Sequence, residues 1–246
     1  MIFLKINFFN LFILWICKFK FKLVNFPKKL RTYIRAIKRR TIGLSYGDTW
    51  QGRDNEFFEQ VHEHGIKKNE DFVNYLKNKN DIHTVLEIGC GTGIYPIQYS
   101  HLFENKIYTG IDISKSAINY CKKHSKFTFF VGDFSKMQLS EKYDLVYSHG
   151  VINHVSDIDL FLKKTLDVCK KYAYINASHG YFPDLEEHNM KWAKNEAIFN
   201  TDMSVKQLKI SLTKFGFNKN QFTIRPIDMG ENKQSTIIEI KKDNQI

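Results

Sequence analysis

The chain has 246 residues, 43% of them hydrophobic and 26% charged, with 37 Lys+Arg against 26 Asp+Glu. That length and apolar content suit one core-forming domain with an extension, and exclude a disordered or low-complexity chain. Eleven of the basic residues lie in residues 1–40, which hold no Asp or Glu, so 26 basic and 26 acidic residues remain and the chain from 41 onward is formally neutral; with the charge confined to one end, no nucleic-acid partner is expected.

Residues 1–40 form a basic, aromatic segment. Its longest apolar run, Leu11–Cys17, is shorter than the ~18–20 residues of a spanning helix. Lys18-Phe19-Lys20-Phe21-Lys22 follows it, where a secretory signal would need small residues for cleavage. Beyond Pro27, Leu30, Tyr33 and Ile37 recur at helical spacing among cations, which reads as an interfacial anchor for an anionic membrane surface at the inner face. A helix packed on the domain, a start codon assigned too early and, more weakly, nucleic-acid binding by the tail stay open beside that reading. Cys17, Cys90, Cys121 and Cys169 show no C-x-x-C or zinc spacing, so a reduced, cytoplasmic compartment is expected.

Residues 41–80 read as a helical cap. Phe57, Phe58 and Val61 fall on one helical face, and Asp71–Leu76 reads as a second helix. His62-Glu63-His64 places neighbours on different faces of a helix, so no metal site is expected.

The stretch Thr84-Val85-Leu86-Glu87-Ile88-Gly89-Cys90-Gly91-Thr92-Gly93 is a buried strand that ends in three alternate glycines. A helix over 94–102 follows. Strand, glycine turn and helix make the βα unit that receives nucleotide-like cofactors. Glycine allows a close approach of backbone to ligand. Glu87 precedes the first glycine, and a carboxylate there suits a cationic group better than a pyrophosphate. The pattern Glu87-x-Gly89-x-Gly91-x-Gly93 resembles the first motif of the class I S-adenosylmethionine (SAM)-dependent methyltransferases. A tight βα turn of another kind, or an NAD site, is the competing reading of this motif alone.

The second strand, 106–112, ends in Asp112, whose paired acceptors suit the hydroxyls of a ribose. Ser114 can cap the helix 114–124, which leaves Asp112 for a ligand. The third strand, 127–131, leads into Gly132-Asp133-Phe134. The resemblance implies that Asp133 accepts from the adenine amino group and that Phe134 covers the ring, a feature that NAD sites do not require. The fourth strand, 143–148, opens into His149-Gly150-Val151-Ile152-Asn153-His154. His154 matches a recurring, mainly structural histidine of the family, while Ser148 and His149 lie at the strand's carboxyl end. No N-P-P-Y or D-P-P-Y motif follows, which argues against DNA or amide N-methylation. A helix 160–169 returns to strand five, 172–178. The segment 179–203 loses regularity; in the family this insertion builds the acceptor pocket, and a plain surface helix over 185–198 is the alternative. A last helix, 205–215, and two closing strands, 221–227 and 235–241, complete the pattern.

The expectation is an α/β domain over 81–246: a seven-stranded Rossmann-like sheet with helices on both faces and a closing antiparallel β-hairpin. The resemblance implies a SAM-dependent methyltransferase acting on a hydroxyl or amine of a small-molecule, sugar or lipid-linked acceptor. Cofactor contacts are expected from Glu87, Gly89, Gly91, Gly93, Asp112, Asp133, Phe134 and Ser148. His149 and His179, each after a strand at the ligand edge, are the candidates for a general base. Tyr46 and Trp50 are suspected, by resemblance, of capping the cofactor. A non-catalytic SAM-fold protein that docks a partner through the basic tail, and an NAD-linked oxidoreductase, are the alternative functions.

Overall fold

The computed structural model describes residues 53, 55–65, 70–193, 196–231 and 233–242. The basic segment 1–40 and the suspected capping residues Tyr46 and Trp50 lie outside these. Two helices, α1 (Asn55–Gly65) and α2 (Glu70–Lys77), precede the sheet. Then come β1 (Thr84–Ile88), α3 (Ile94–Gln98), β2 (Ile107–Asp112), α4 (Lys115–His124), β3 (Thr128–Val131), β4 (Tyr143–His149), α5 (Ile158–Asp167) and β5 (Cys169–Ala177). A hairpin β6 (Asn189–Ala193) and β7 (Ile198–Asp202), helix α6 (Val205–Lys214), β8 (Phe222–Asp228) and β9 (Gln234–Lys241) close the chain.

The main sheet has seven strands in the order β3-β2-β1-β4-β5-β9-β8. β1 to β5 pair parallel, and β9 runs antiparallel to both β5 and β8. The order reverses between β1 and β4, which leaves a crevice at the carboxyl ends of those two strands.

Helices cover both faces, as a parallel sheet requires. β1 is apolar on both sides: Val85 faces α2 and α4 through Phe72, Ile118 and Cys121, whereas Leu86 and Ile88 face α5 and α6 through Phe161, Leu162, Leu208 and Leu212. Glu87 therefore points with Val85, two positions away, into the aromatic layer of Tyr108, Tyr147 and Phe72. Ser114 caps α4 through Ala117 N–H (3.3 Å), and Asp157 caps α5 through Leu160 N–H (2.8 Å).

Two local expectations change. The helix expected over 94–102 stops at Gln98, where Tyr99 leaves helical geometry (φ −115°, ψ 38°) and a 3-10 turn, Ser100–Leu102, follows. Among its described residues the segment 185–198 is not helical: it holds β6 and the first residue of β7, which pair antiparallel, with Trp192 opposite Phe199 and the two rings 4.9 Å apart, edge to face.

Candidate active site

The crevice holds a cavity of about 360 Å³, within the range of small-ligand sites. The turn after β1 forms its floor. Gly89 and Cys90 N–H both donate to Ile111 O (2.7 and 3.0 Å), which folds the turn back over β2. Gly89 and Gly91 have φ of +71° and +51°. A Cβ at Gly89 would come within 2.2 Å of Val151 Cγ2, whereas one at Gly91 would meet nothing within 4 Å. The backbone at Gly91 therefore borders open space, while Gly89 abuts the loop after β4.

Asp112 ties this floor to the next turn. Its Oδ2 accepts from Gly91 N–H (2.8 Å) and its Oδ1 from Ser114 N–H (2.7 Å). Ser114 does cap α4, but Asp112 is not thereby free of local bonds. Burial raises the Asp112 carboxyl above its ordinary value, against the lowering effect of those two N–H groups. Each carboxylate oxygen keeps a second lone pair for a ligand.

Glu87 is buried, and its Oε2 accepts from the hydroxyls of Tyr108 and Tyr147 (the latter at 2.6 Å). Burial pushes its carboxyl up to about 8 despite these bonds. His149 sits among Phe72, Tyr95, Tyr147 and Tyr174, with Nδ1 3.5 Å from the Tyr95 hydroxyl. Burial lowers its imidazole to about 3, opposed by the charge of Asp71. Burial thus favours the uncharged form of both groups.

On the far wall, Asp133 Oδ1 accepts from Ser135 N–H and its hydroxyl (3.1 and 2.6 Å), and Oδ2 pairs with Lys136 at 3.0 Å. Burial would raise this carboxyl, but Ser135 and Lys136 outweigh it and hold it below the usual range. The Phe134 ring is buried against Phe161, edge to face at 5.8 Å.

The cavity thus brings together Glu87, Gly89, Gly91, Asp112, Asp133, Phe134 and His149. Gly93, Ser148 and His179 do not line it. Gly93 is the N-cap of α3, with φ +68°. Ser148 is fully buried with its hydroxyl unpartnered among the described residues. His179 is half-buried, with its ring 5.1 Å from that of His154. Burial, then His154, lowers its imidazole.

Residues of α1 and His154 also border the cavity. Phe57, Phe58 and Val61 of α1 roof the cavity, and His62 Nε2 donates to Thr92 O (3.0 Å). The helical spacing of these apolar residues was the available signal. His154 lines the cavity and its Nδ1 donates to Phe199 O (2.8 Å) of β7.

Two buried polar atoms of lining residues, Thr92 Oγ1 and His149 Nε2, have no partner among the described residues. Unpaired buried polar atoms are costly unless a ligand or water meets them. With the open backbone at Gly91 and the carboxylate of Asp112, they fit a nucleoside-bearing ligand with polar groups at both ends. Among the described residues no group of three His, Cys, Asp or Glu could hold a metal ion. A larger groove, about 670 Å³, lies away from these strand ends; there Lys163 pairs with Asp167, and Lys242 donates to Leu166 O.

Residues 79–239 match the family model described as a methyltransferase domain. Among curated relatives, a malonyl-[acyl-carrier protein] O-methyltransferase of Calditerrivibrio nitroreducens is 28% identical over 116 residues, 45% of this chain and 41% of that protein. A second such enzyme, from Ilyobacter polytropus, is 29% identical over 61% of this chain and 57% of its own length. A probable (S)-tetrahydroprotoberberine N-methyltransferase of Papaver bracteatum is 30% identical over 90 residues, 34% of this chain and 25% of its own length. The chain thus spans less than two thirds of the length of the curated relatives it matches. Among solved structures, magnesium protoporphyrin IX methyltransferase from Synechocystis with bound SAM superposes with a TM-score of 0.54 at 17% identity, over 86% of this chain and 96% of that one. The complex of DhpI with S-adenosylhomocysteine (SAH) gives 0.56 at 15% identity, over 80% and 94%.

Proposed function

The chain belongs to the class I SAM-dependent methyltransferase family, and from that premise we propose that it methylates a hydroxyl or amine of a small-molecule, sugar or lipid-linked acceptor. Both acceptor atoms have support among the relatives, which include O- and N-methyltransferases. When bound, SAM supplies a methyl group already activated by its sulfonium, so the protein's work is orientation and exclusion of water.

The observation that carries this reading is Asp112, which clamps Gly91 and Ser114 at the end of β2 while bordering the cavity. On this reading Asp112 takes the ribose hydroxyls, Asp133 and Phe134 the adenine, and Glu87 with the glycine turn the methionine end. Gly93 contributes through the shape of the turn, and Ser148 through its place behind His149. Phe57 and Phe58 close the roof against water.

For the acceptor side, we assign His149 a neutral hydrogen-bonding role, since an imidazole held near 3 is a weak base. We assign removal of the acceptor's proton to His179, which stands just outside the cavity with its ring 5.1 Å from that of His154, a lining residue. A neutral His154 carries its proton on Nδ1, the nitrogen that donates to Phe199 O. The basic segment 1–40 supports a peripheral placement at an anionic, cytoplasmic membrane face; liposome flotation with and without residues 1–40 tests that, and equal behaviour overturns it.

Titration calorimetry tests the cofactor assignment. SAH is expected to bind and NAD not; NAD binding would favour the oxidoreductase. A screen with labelled SAM then separates an enzyme from a SAM-fold binding protein that docks a partner through its tail.

A further inference from the structure

The connection from β3 to β4, residues 132–142, crosses from the edge of the sheet to its centre without a helix. It nevertheless carries Asp133 and Phe134, which wall the cavity. Something other than helical hydrogen bonding must give it a fixed shape. Part of the answer is local: Lys136 and Met137 N–H both donate to Asp133 O (2.9 and 3.0 Å).

The rest comes from Lys164 on α5. Its ammonium donates to Phe134 O (2.9 Å), Ser135 O (2.8 Å) and Met137 O (2.6 Å). An ammonium has three N–H donors, and Lys164 spends all of them on one four-residue stretch. The same Nζ lies 5.4 Å from the centre of the Phe134 ring, a cation–π distance. Phe161, one turn earlier on α5 and so on the same face, packs edge-on against that ring and itself lines the cavity. A lysine on an amphipathic helix usually reads as solvated surface. Its neighbour Lys163 fits that description, exposed and paired with Asp167. Lys164 is half-buried and turned to the loop.

We propose that Lys164 is a positioning residue for the adenine end of the cofactor: by gathering the carbonyls of Phe134, Ser135 and Met137, it holds the loop in the shape that presents Asp133 and Phe134 to the cavity. This rests on the cofactor assignment above. Lys164 acts through the loop and touches no reacting atom. A neutral side chain there leaves three carbonyls without their charged donor, and the loop relaxes.

The test is calorimetric titration of the full chain with SAH and with adenosine, alongside amide exchange. Lys164→Met is expected to weaken both ligands about tenfold and to speed exchange in 133–137. Lys163→Met, the control, leaves both within about twofold. Since Lys164 works through the loop that holds Asp133, the pair Lys164→Met/Asp133→Ala should lose clearly less than the product of the two single losses. A general loss of stability would not produce that coupling. If Lys164→Met does not fold, Lys164→Gln, which keeps a donor but not three, replaces it in the same comparison. SAH affinity unchanged in the Lys164 variant, or losses that multiply in the double variant, would overturn the proposal. No SAH binding by the unsubstituted chain would instead overturn the cofactor assignment, and the proposal with it.

Discussion

The turn after β1 and the hairpin β6–β7 are held in place by different kinds of bond. The turn is fixed by near neighbours: Gly89, Cys90 and Gly91 N–H all bond to the end of β2, about one βα unit away. The hairpin is fixed at long range by side chains outside it. Asn153 Nδ2 donates to Thr201 O (2.7 Å), His154 Nδ1 donates to Phe199 O (2.8 Å), and Asn153 Oδ1 accepts from Ser178 N–H (2.7 Å). A turn built from its own backbone can serve only one ligand shape. An inserted element hung on tethers can change without disturbing that turn.

The largest expected effect is at the joint between the two regions. Gly89→Ala combines a positive φ with a Cβ 2.2 Å from Val151 Cγ2, and is expected to cost about 2–5 kcal/mol of stability and to damage both regions at once. Thermal melts check this, and Val151→Ala on the same chain should relieve the steric part. Asp112→Ala should break the turn alone: SAH affinity falls about a hundredfold, from loss of two charge-assisted bonds, while amide exchange in 189–202 is unchanged. Asn153→Ala is the mirror image. It leaves buried groups unpaired, costs about 1–3 kcal/mol and speeds exchange in 189–202, yet leaves SAH affinity within about twofold.

The pH dependence probes the cavity side of the comparison, since Glu87 and His149 both line it. Glu87 in the folded chain sits at about 8, above its ordinary 4.5, so folding holds a proton that the unfolded chain releases, and stability falls as pH rises between these values. His149 sits at about 3, below its ordinary 6.5, so stability is lost as pH falls from 6.5 toward 3. The slopes oppose between 4.5 and 6.5, and only the Glu87 slope remains between 6.5 and 8. Melts of the unsubstituted chain should decline over that upper window, and Glu87→Gln should remove the decline. The smallest effect is expected at the exposed pair Lys163–Asp167: Lys163→Ala should change stability by no more than about 0.5 kcal/mol.

The difference between the regions also explains what could be read in advance. The turn after β1 was legible as a structure because its requirements are local: glycines where φ is positive, an acid before them, and Asp112 at the end of the next strand. Ser148 and Gly93 were grouped with it by chain position, but the direction of a side chain at the end of β4 depends on register with β1 and β5, which spacing does not give. The hairpin was not legible, because β6 leaves Met190 and Trp192 exposed, so a strand's alternation is muted there. Lys164 was invisible for a related reason. Only the fold brings the loop's carbonyls to it.

Asn153 and His154 grip β7 by main-chain oxygens, which every residue type supplies. Neither bond depends on which side chain stands at position 199 or 201. Substitutions at the exposed positions of β6, Met190, Lys191 and Trp192, can therefore accumulate without loosening either tether.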